Sequence, residues 1–267
     1  MRPTKAYPGN PLNYRDDIDI VVFRENTEGL YSGVEFHPLP DEIKAVLLKH
    51  HVKMKKFEDV PAEEIALSCR IFTEKGCQRI IKKAFDYAKK MNRPCVTVVE
   101  KPNVLRETSG LMVREARKIQ KEEYPDIELW EANIDAMCMW LVKNPQNYSV
   151  LVASNMFGDI VSDLCGQLVG GLGFTAGANL GDEYAVFEPV HGSAPKYSGQ
   201  YKVNPIATLQ ATRLMLEWLG EHDKANRLDK AIALNIKEGK VKTYDLVGTS
   251  KTLEVAEDIA KKYSAGY

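Results

Sequence analysis

The sequence has no excess of charge of either sign: 36 Lys and Arg against 37 Asp and Glu leave a formal net charge of −1. A chain so balanced offers no polyelectrolyte footprint, so neither nucleic acid nor an anionic membrane surface is expected as a partner. It lacks any apolar run near the ~18 residues that a membrane-spanning helix requires. Its first residues, MRPTKAYPGNPLNYRDD, hold no apolar stretch of the kind a secretory leader uses, and a cytoplasmic protein is expected. Cysteine is scarce and unpatterned. Cys69, Cys77, Cys95, Cys138 and Cys165 are odd in number and show no C-x-x-C spacing, which argues against a disulfide framework or a zinc site and for reduced, small core residues. Repeats and low-complexity tracts are absent. So is the dinucleotide fingerprint G-x-G-x-x-G: the cluster Gly170, Gly171, Gly173 and Gly177 has the wrong spacing and does not directly follow a strand.

What is present is a globular composition, 44% hydrophobic and 27% charged over 267 residues, enough for one or two domains with a sizeable core. Residues 1–15 read as a loop punctuated by Pro and Gly. Buried-type strands are expected at 18–23, 96–100 and 150–152, with further strands at 64–72, near 128–131 and at 185–188. Between them the apolar period lengthens to that of helices, at 73–91 (capped by Thr73), 108–123 and 134–142. Alternation of this kind predicts α/β layering. A short helix over 41–48 leads to the basic run Lys53 to Lys56, read as a solvated face. The surrounding segment is expected to pack against a second subunit. Helices at 205–219, 223–238 and 252–263, with an extended piece at 240–246, complete the chain.

The stretch SNMFGDIVSD, Ser154 to Asp163, organises the functional reading. Asp159 and Asp163 are four residues apart, close behind an Asn-x-x-Gly turn signal. With Asp159 at or near the first turn of a helix, both carboxylates share one face. Such a pair by its spacing alone suits a solvated helix start better, though it also suits a hard divalent cation, since Mg²⁺ and Mn²⁺ prefer oxygen ligands. Other strand ends carry groups that a small polyanion would need. Arg2 and Arg24 can fork onto carboxylates, Tyr31 offers a phenol, Lys101 an amine and Asp135 a further oxygen ligand.

The strings RENTEGLYSGVE, VVEKPNVLR, IDAM, SNMFGDIVSD and EPVHGSAPKYSGQYKVNP closely resemble those of the β-decarboxylating dehydrogenases, and within them the isocitrate dehydrogenases. The resemblance covers essentially the whole chain. It implies the layered α/β fold of the isocitrate/isopropylmalate dehydrogenases, not a Rossmann fold. Residues 1–169 would form a small domain with a dimer-forming insertion at about 32–68, and residues 170–267 the C-terminal part of a large, cofactor-binding domain. By the same resemblance Arg2 and Arg24 bind substrate carboxylates and Tyr31 and Lys101 form the acid/base pair. Asp135, Asp159 and Asp163 ligate Mg²⁺ or Mn²⁺. Lys101 and Asp135 would come from the partner of a homodimer with shared active sites. The loop carrying His191, Gly192, Ser193, Ala194, Lys196, Tyr197, Val203 and Asn204, together with Tyr244, would hold the cofactor. The Lys196-Tyr197 pair matches NADP users; Gly248 stands where bacterial NADP enzymes often carry Arg. The implied reaction is oxidative decarboxylation of isocitrate with NADP. The alternatives are an NAD-linked relative acting on isopropylmalate, homoisocitrate or tartrate, and a non-catalytic chain. The family pattern has an N-terminal segment before its Arg-Pro motif, which here is Arg2-Pro3. Weak activity and poor solubility are expected of a chain without that segment.

Overall fold

A computed structural model describes residues 1–266. The elements are β1 (Arg2–Lys5), β2 (Asp19–Arg24), β3 (Glu35–Phe36), α1 (Asp41–His50), β4 (Leu67–Ser68), α2 (Glu74–Lys90), β5 (Cys95–Glu100), α3 (Thr108–Glu123), β6 (Glu128–Asn133), α4 (Ile134–Lys143), β7 (Val150–Ala153), α5 (Asn155–Leu168), β8 (Ala176–Leu180), β9 (Ala185–Pro189), α6 (Ile206–Trp218), α7 (His222–Glu238) and α8 (Thr252–Ala265). Five strands form one sheet in the order β1-β2-β7-β5-β6. β2, β7, β5 and β6 run parallel, and β1 lies antiparallel on the edge.

The sheet is covered on both faces, which is why its strands read as nearly unbroken apolar runs. Side chains alternate between two cores. Val21, Phe23, Val96, Val98, Val150 and Val152 pack under α2 and α3. Ile20, Val22, Val99, Leu151 and Ala153 pack under α4 and α5 with Met137, Leu141, Val161 and Cys165. All four residues of β7 are buried; a fully buried Val or Leu contributes about 1.5–3 kcal/mol, so this short strand anchors both layers. A third core joins Tyr7, Phe174 and Leu246 to α6, α7 and α8. The Tyr7 hydroxyl donates to Asp229 and accepts from Gln210. Burial, and then the Asp229 carboxylate, push its pKa up. None of the five cysteines is paired, and no helix among the described residues is long and apolar enough to cross a membrane.

Several elements depart from the expectation. Residues 2–5 are a strand, not loop. RPTK has no β-type pattern, but pairing with β2, Arg2 opposite Val22, overrides local propensity. The strand expected over 64–72 shrinks to Leu67–Ser68, paired with Glu35–Phe36 in an arm where Leu39 alone is buried between 32 and 68. Residues 240–246 end in a 3-10 turn instead of an extended piece. The glycine cluster feeds β8, which pairs with β9 in a two-stranded ribbon. The Asn-x-x-Gly signal is no turn. Asn155 to Gly158 is the first turn of α5, so Asp159 begins the second.

Candidate active site

Parallel strands end at one edge, and loops at such carboxyl ends are where α/β proteins place ligands. Here β2 ends at Arg24, β7 runs into Ser154, β5 into Lys101, and β6 into the first turn of α4, which carries Asp135. Because β1 is antiparallel, its first residue, Arg2, arrives at the same edge.

α5 leaves β7 and packs directly on β2. Gly158 makes that approach possible: a Cβ there would lie 2.7 Å from Arg24 Cγ and 3.1 Å from its Cα. Arg24 donates through Nε to the Asn155 carbonyl at 3.0 Å and through Nη2 to Asn155 Oδ1 at 2.9 Å. Its Nη1 reaches Asp159 Oδ1 at 2.5 Å. Arg2 Nη1 donates to the same Asp159 oxygen at 3.1 Å, to Ser162 Oγ at 2.6 Å and to Asp163 Oδ1 at 3.4 Å. The Tyr31 hydroxyl donates to Asp159 Oδ2 at 2.9 Å, and its ring centroid lies 5.3 Å from the Arg24 guanidinium. That hydrogen bond raises the Tyr31 pKa and keeps the phenol protonated; desolvation lowers that of Arg24. A Gly158→Ala chain should fold but hold α5 away from β2. The expected result is a fall in turnover of about 10²-fold, the usual effect of misplacing reacting groups by about 1 Å, with near-native circular dichroism.

Asp135 lies elsewhere, in an ion pair with Lys101, and hydrogen bonding to that ammonium holds its carboxyl below the usual range. β6 is three strands from β2, roughly 14 Å at about 4.8 Å per strand. Among the described residues no hydrogen bond joins the two sets, and no three acidic, His or Cys side chains gather into a metal cluster. One chain thus brings together Arg2, Arg24, Tyr31, Asp159 and Asp163, and separately Lys101 with Asp135. The first set fits a divalent cation as a partial site. Two hard carboxylates share a helix face, already gathering positive charge, and Mg²⁺ is commonly held by one or two carboxylates plus substrate and water.

A cleft of about 260 Å³ opens beside this cluster, lined by Arg2, Arg24, Asn26, Asn179, Glu188 and His191 among others. Asn26 Nδ2 donates to Asn179 Oδ1 at 2.7 Å, and Asn179 Nδ2 to Glu188 Oε1 at 3.1 Å. These three were not among the sequence candidates; the places of Asn26 and Glu188 inside motifs already singled out were the available signal. His191 and Gly192 line the cleft. Beyond it, exposed Ser193 leads to Ala194, at φ 45°, which turns the loop. Asn204 is buried, donating to Asp245 Oδ2 at 3.0 Å and accepting the Ile206 N–H through Oδ1 at 3.0 Å, while the Val203 carbonyl accepts from Thr252. Tyr197 and Tyr244 stand with ring centroids 5.8 Å apart. Lys196 lies 4.8 Å from the Tyr197 ring, and Lys202, also not anticipated, lies 4.6 Å and 4.9 Å from the two rings.

Guanidinium, phenol and paired carboxylates beside a cleft at a sheet edge can together bind a small polyanion and, with a hard cation, polarise it. The profile of the isocitrate/isopropylmalate dehydrogenase family matches residues 1–259, and the chain belongs to that family. It is 43% identical to a 3-isopropylmalate/3-methylmalate dehydrogenase of Methanocaldococcus jannaschii, covering 98% of this chain and 72% of that protein. It is 37% identical to a probable mitochondrial NAD isocitrate dehydrogenase alpha subunit of Caenorhabditis elegans, covering 98% and 66%. The crystal structure of isocitrate dehydrogenase from Methylococcus capsulatus superposes with a TM-score of 0.86 at 42% identity, covering 98% of this chain and 72% of that one. The chain therefore spans about two thirds to seven tenths of the length of these relatives. Its fold is theirs, a mixed sheet between helices and not a Rossmann arrangement.

Proposed function

We propose that the chain serves the NAD-linked oxidative decarboxylation of a malate substituted at C3, a class that includes 3-isopropylmalate and isocitrate. The carrying observation is Asp159, bound at once by Arg2, Arg24 and Tyr31 at the carboxyl edge. The name of the Caenorhabditis elegans relative, an NAD isocitrate dehydrogenase subunit, favours NAD over the NADP expected from Lys196 and Tyr197. Arg2 and Arg24 would grip substrate carboxylates with their planar forks. A divalent cation held by Asp159 and Asp163, with Asp135 of a second copy, would polarise the C2 hydroxyl and the neighbouring carboxylate. Lys101, an ammonium in its ion pair with Asp135, would first give up a proton to water and then, as the neutral amine, accept the hydroxyl proton as hydride leaves C2 for the nicotinamide, with Asp135 balancing the ammonium restored. After CO₂ departs, Tyr31 would hand its proton to the vacated carbon, its phenol kept neutral until then by Asp159.

The separation of Lys101 and Asp135 from Asp159 supports a site shared between two copies. The α4/α5 side offers a contact for one, since Trp130 on β6, Met139 and Val142 on α4 and Ile160 on α5 are each exposed. A second reading, NADP with isocitrate, is favoured by Lys196 and Lys202 over the paired rings of Tyr197 and Tyr244, a setting suited to a phosphate. Rates with Mn²⁺ and either cofactor on isopropylmalate and isocitrate decide between them. The expected result is at least about 10-fold higher kcat/KM with NAD, which is 1.4 kcal/mol of discrimination. Preference for NADP, abolished by Lys196→Ala, would establish the second reading; no reduction of either cofactor would refute both.

A further inference from the structure

One buried ion pair lies behind the site without touching it. Glu100 ends β5, immediately before Lys101, and is fully buried. Its Oε1 accepts the Ser154 N–H at 2.9 Å, at the cap of α5, where the Ser154 side chain itself makes no capping bond. Its Oε2 accepts from Arg70 Nη2 at 3.1 Å and from the Ser109 hydroxyl. Ser109 Oγ in turn receives the Lys101 N–H at 3.3 Å. Arg70 completes the cage. Nη2 also donates to Ser154 Oγ at 2.7 Å, and Nη1 donates to Thr108 and Ser109 at 3.0 and 2.9 Å. The guanidinium is held 4.4 Å from the Phe72 ring centroid and 4.8 Å from that of Phe157, on α5.

We propose that Glu100 and Arg70 are positioning residues for the reaction, fixing the Lys101 segment and the start of α5 to each other. This rests on the dehydrogenase reading above. A carboxylate beside a helix N-terminus is well placed electrostatically, yet the Ser154 N–H needs no buried charge, since a neutral acceptor such as the glutamine of a capping box meets the same donor. The arrangement gains something a neutral acceptor does not give. The same carboxylate touches the cap of the helix that carries Asp159 and Asp163, and through Ser109 the backbone of Lys101. A shift of either element is transmitted to the other, so the proton acceptor and the acidic pair keep their separation. When two copies share their sites, the clamp also ties the half each chain keeps to the half it lends.

The test uses Glu100→Gln, which keeps size and the bond from Ser154 but turns a donor toward Arg70, alongside Arg70→Lys and Arg70→Gln. Arg2 and Arg24 are untouched, so KM for the hydroxy acid should stay within about 2-fold. The kcat of Glu100→Gln and Arg70→Gln should fall about 10- to 100-fold, in proportion to sub-ångström misplacement. Arg70→Lys, which retains the charge, should recover most of that loss. Hydrogen exchange on the same chains, read without turnover, should quicken more at the Ser154 and Lys101 amides together than in β2. Unchanged kcat, equal losses in kcat and 1/KM with no rescue by lysine, or exchange at the two amides quickening no more than in β2 would each overturn the proposal. A wild-type chain inactive on every hydroxy acid would refute the dehydrogenase reading instead, and the exchange at the two amides would still decide whether the clamp exists.

Discussion

Chains carrying Lys101→Ala and chains carrying Asp159→Asn should each be nearly inactive alone and should recover activity when mixed. Removing a positioned proton acceptor costs typically 10²–10⁴-fold, and losing a charge aimed at the reacting oxygens costs a comparable factor. Each single variant should therefore fall about 10³-fold. In a dimer with composite sites, the mixed species pairs the intact Asp159 of one chain with the intact Lys101 of the other. Random exchange makes half the dimers mixed, each with one sound site of two, so the mixture should reach about a quarter of wild-type turnover. Were both groups to act within one chain, mixing would add nothing. The geometry sets this expectation. Lys101 follows β5, two strand spacings from the β2 end where Asp159 meets Arg24, and its ammonium pairs away from that end with Asp135, after β6 and one spacing further; among the described residues no hydrogen bond joins Lys101 to Asp159. Asp159→Asn keeps an acceptor for Arg24, so loss of fold is not the expected cause, and unchanged thermal unfolding of the variant would confirm that. Absence of recovery at any mixing ratio would sink the shared site.

Much of this architecture was legible because burial on both faces of a parallel sheet leaves a plain mark. The runs at 18–23, 96–100 and 150–152 contain no residue that would suit solvent except Asp19, Thr97 and Glu100, and all became central strands. Helix α3 lies where its period and its Thr108 start placed it. β1 was not legible. Nothing in RPTK favours a strand, and its existence depends on an edge of β2 that only the folded sheet provides. That omission mattered, because antiparallel pairing is what carries Arg2 to Asp159 and Ser162. The start of α5 was misjudged because Asn and Gly are turn residues by propensity. Here Gly158 serves close packing on Arg24 and Asn155 serves as that arginine's acceptor. The motif residues could be named from sequence, but their grouping could not, since which strand lies beside which fixes it. Glu100 had a signal that could have been used: a carboxylate closing the otherwise buried run Val96 to Val99 must find a partner.

That partner supplies the second large effect. Arg70→Met should lower the unfolding free energy by about 3–5 kcal/mol, the cost of leaving a buried charge without its counter-ion. The Arg70 side chain is 10% exposed and that of Glu100 0%, so water cannot replace the guanidinium on Oε2. Set against a usual total of about 5–15 kcal/mol, the loss should bring the melting temperature down by roughly 10 °C, read by calorimetry or urea titration. Replacing Glu100 as well, in Arg70→Met/Glu100→Leu, should recover part of that loss, because an apolar pair of similar volume removes the orphaned charge. Recovery stays incomplete, for the Ser154 N–H would then face leucine instead of an acceptor, at a cost of about 1–3 kcal/mol. A double variant destabilised by the two single losses added together would mean that the carboxylate was already satisfied by Ser154 and Ser109 without Arg70. A double more stable than either single places the ion pair itself at the centre of the cage, with α5 and the Lys101 segment hung from it.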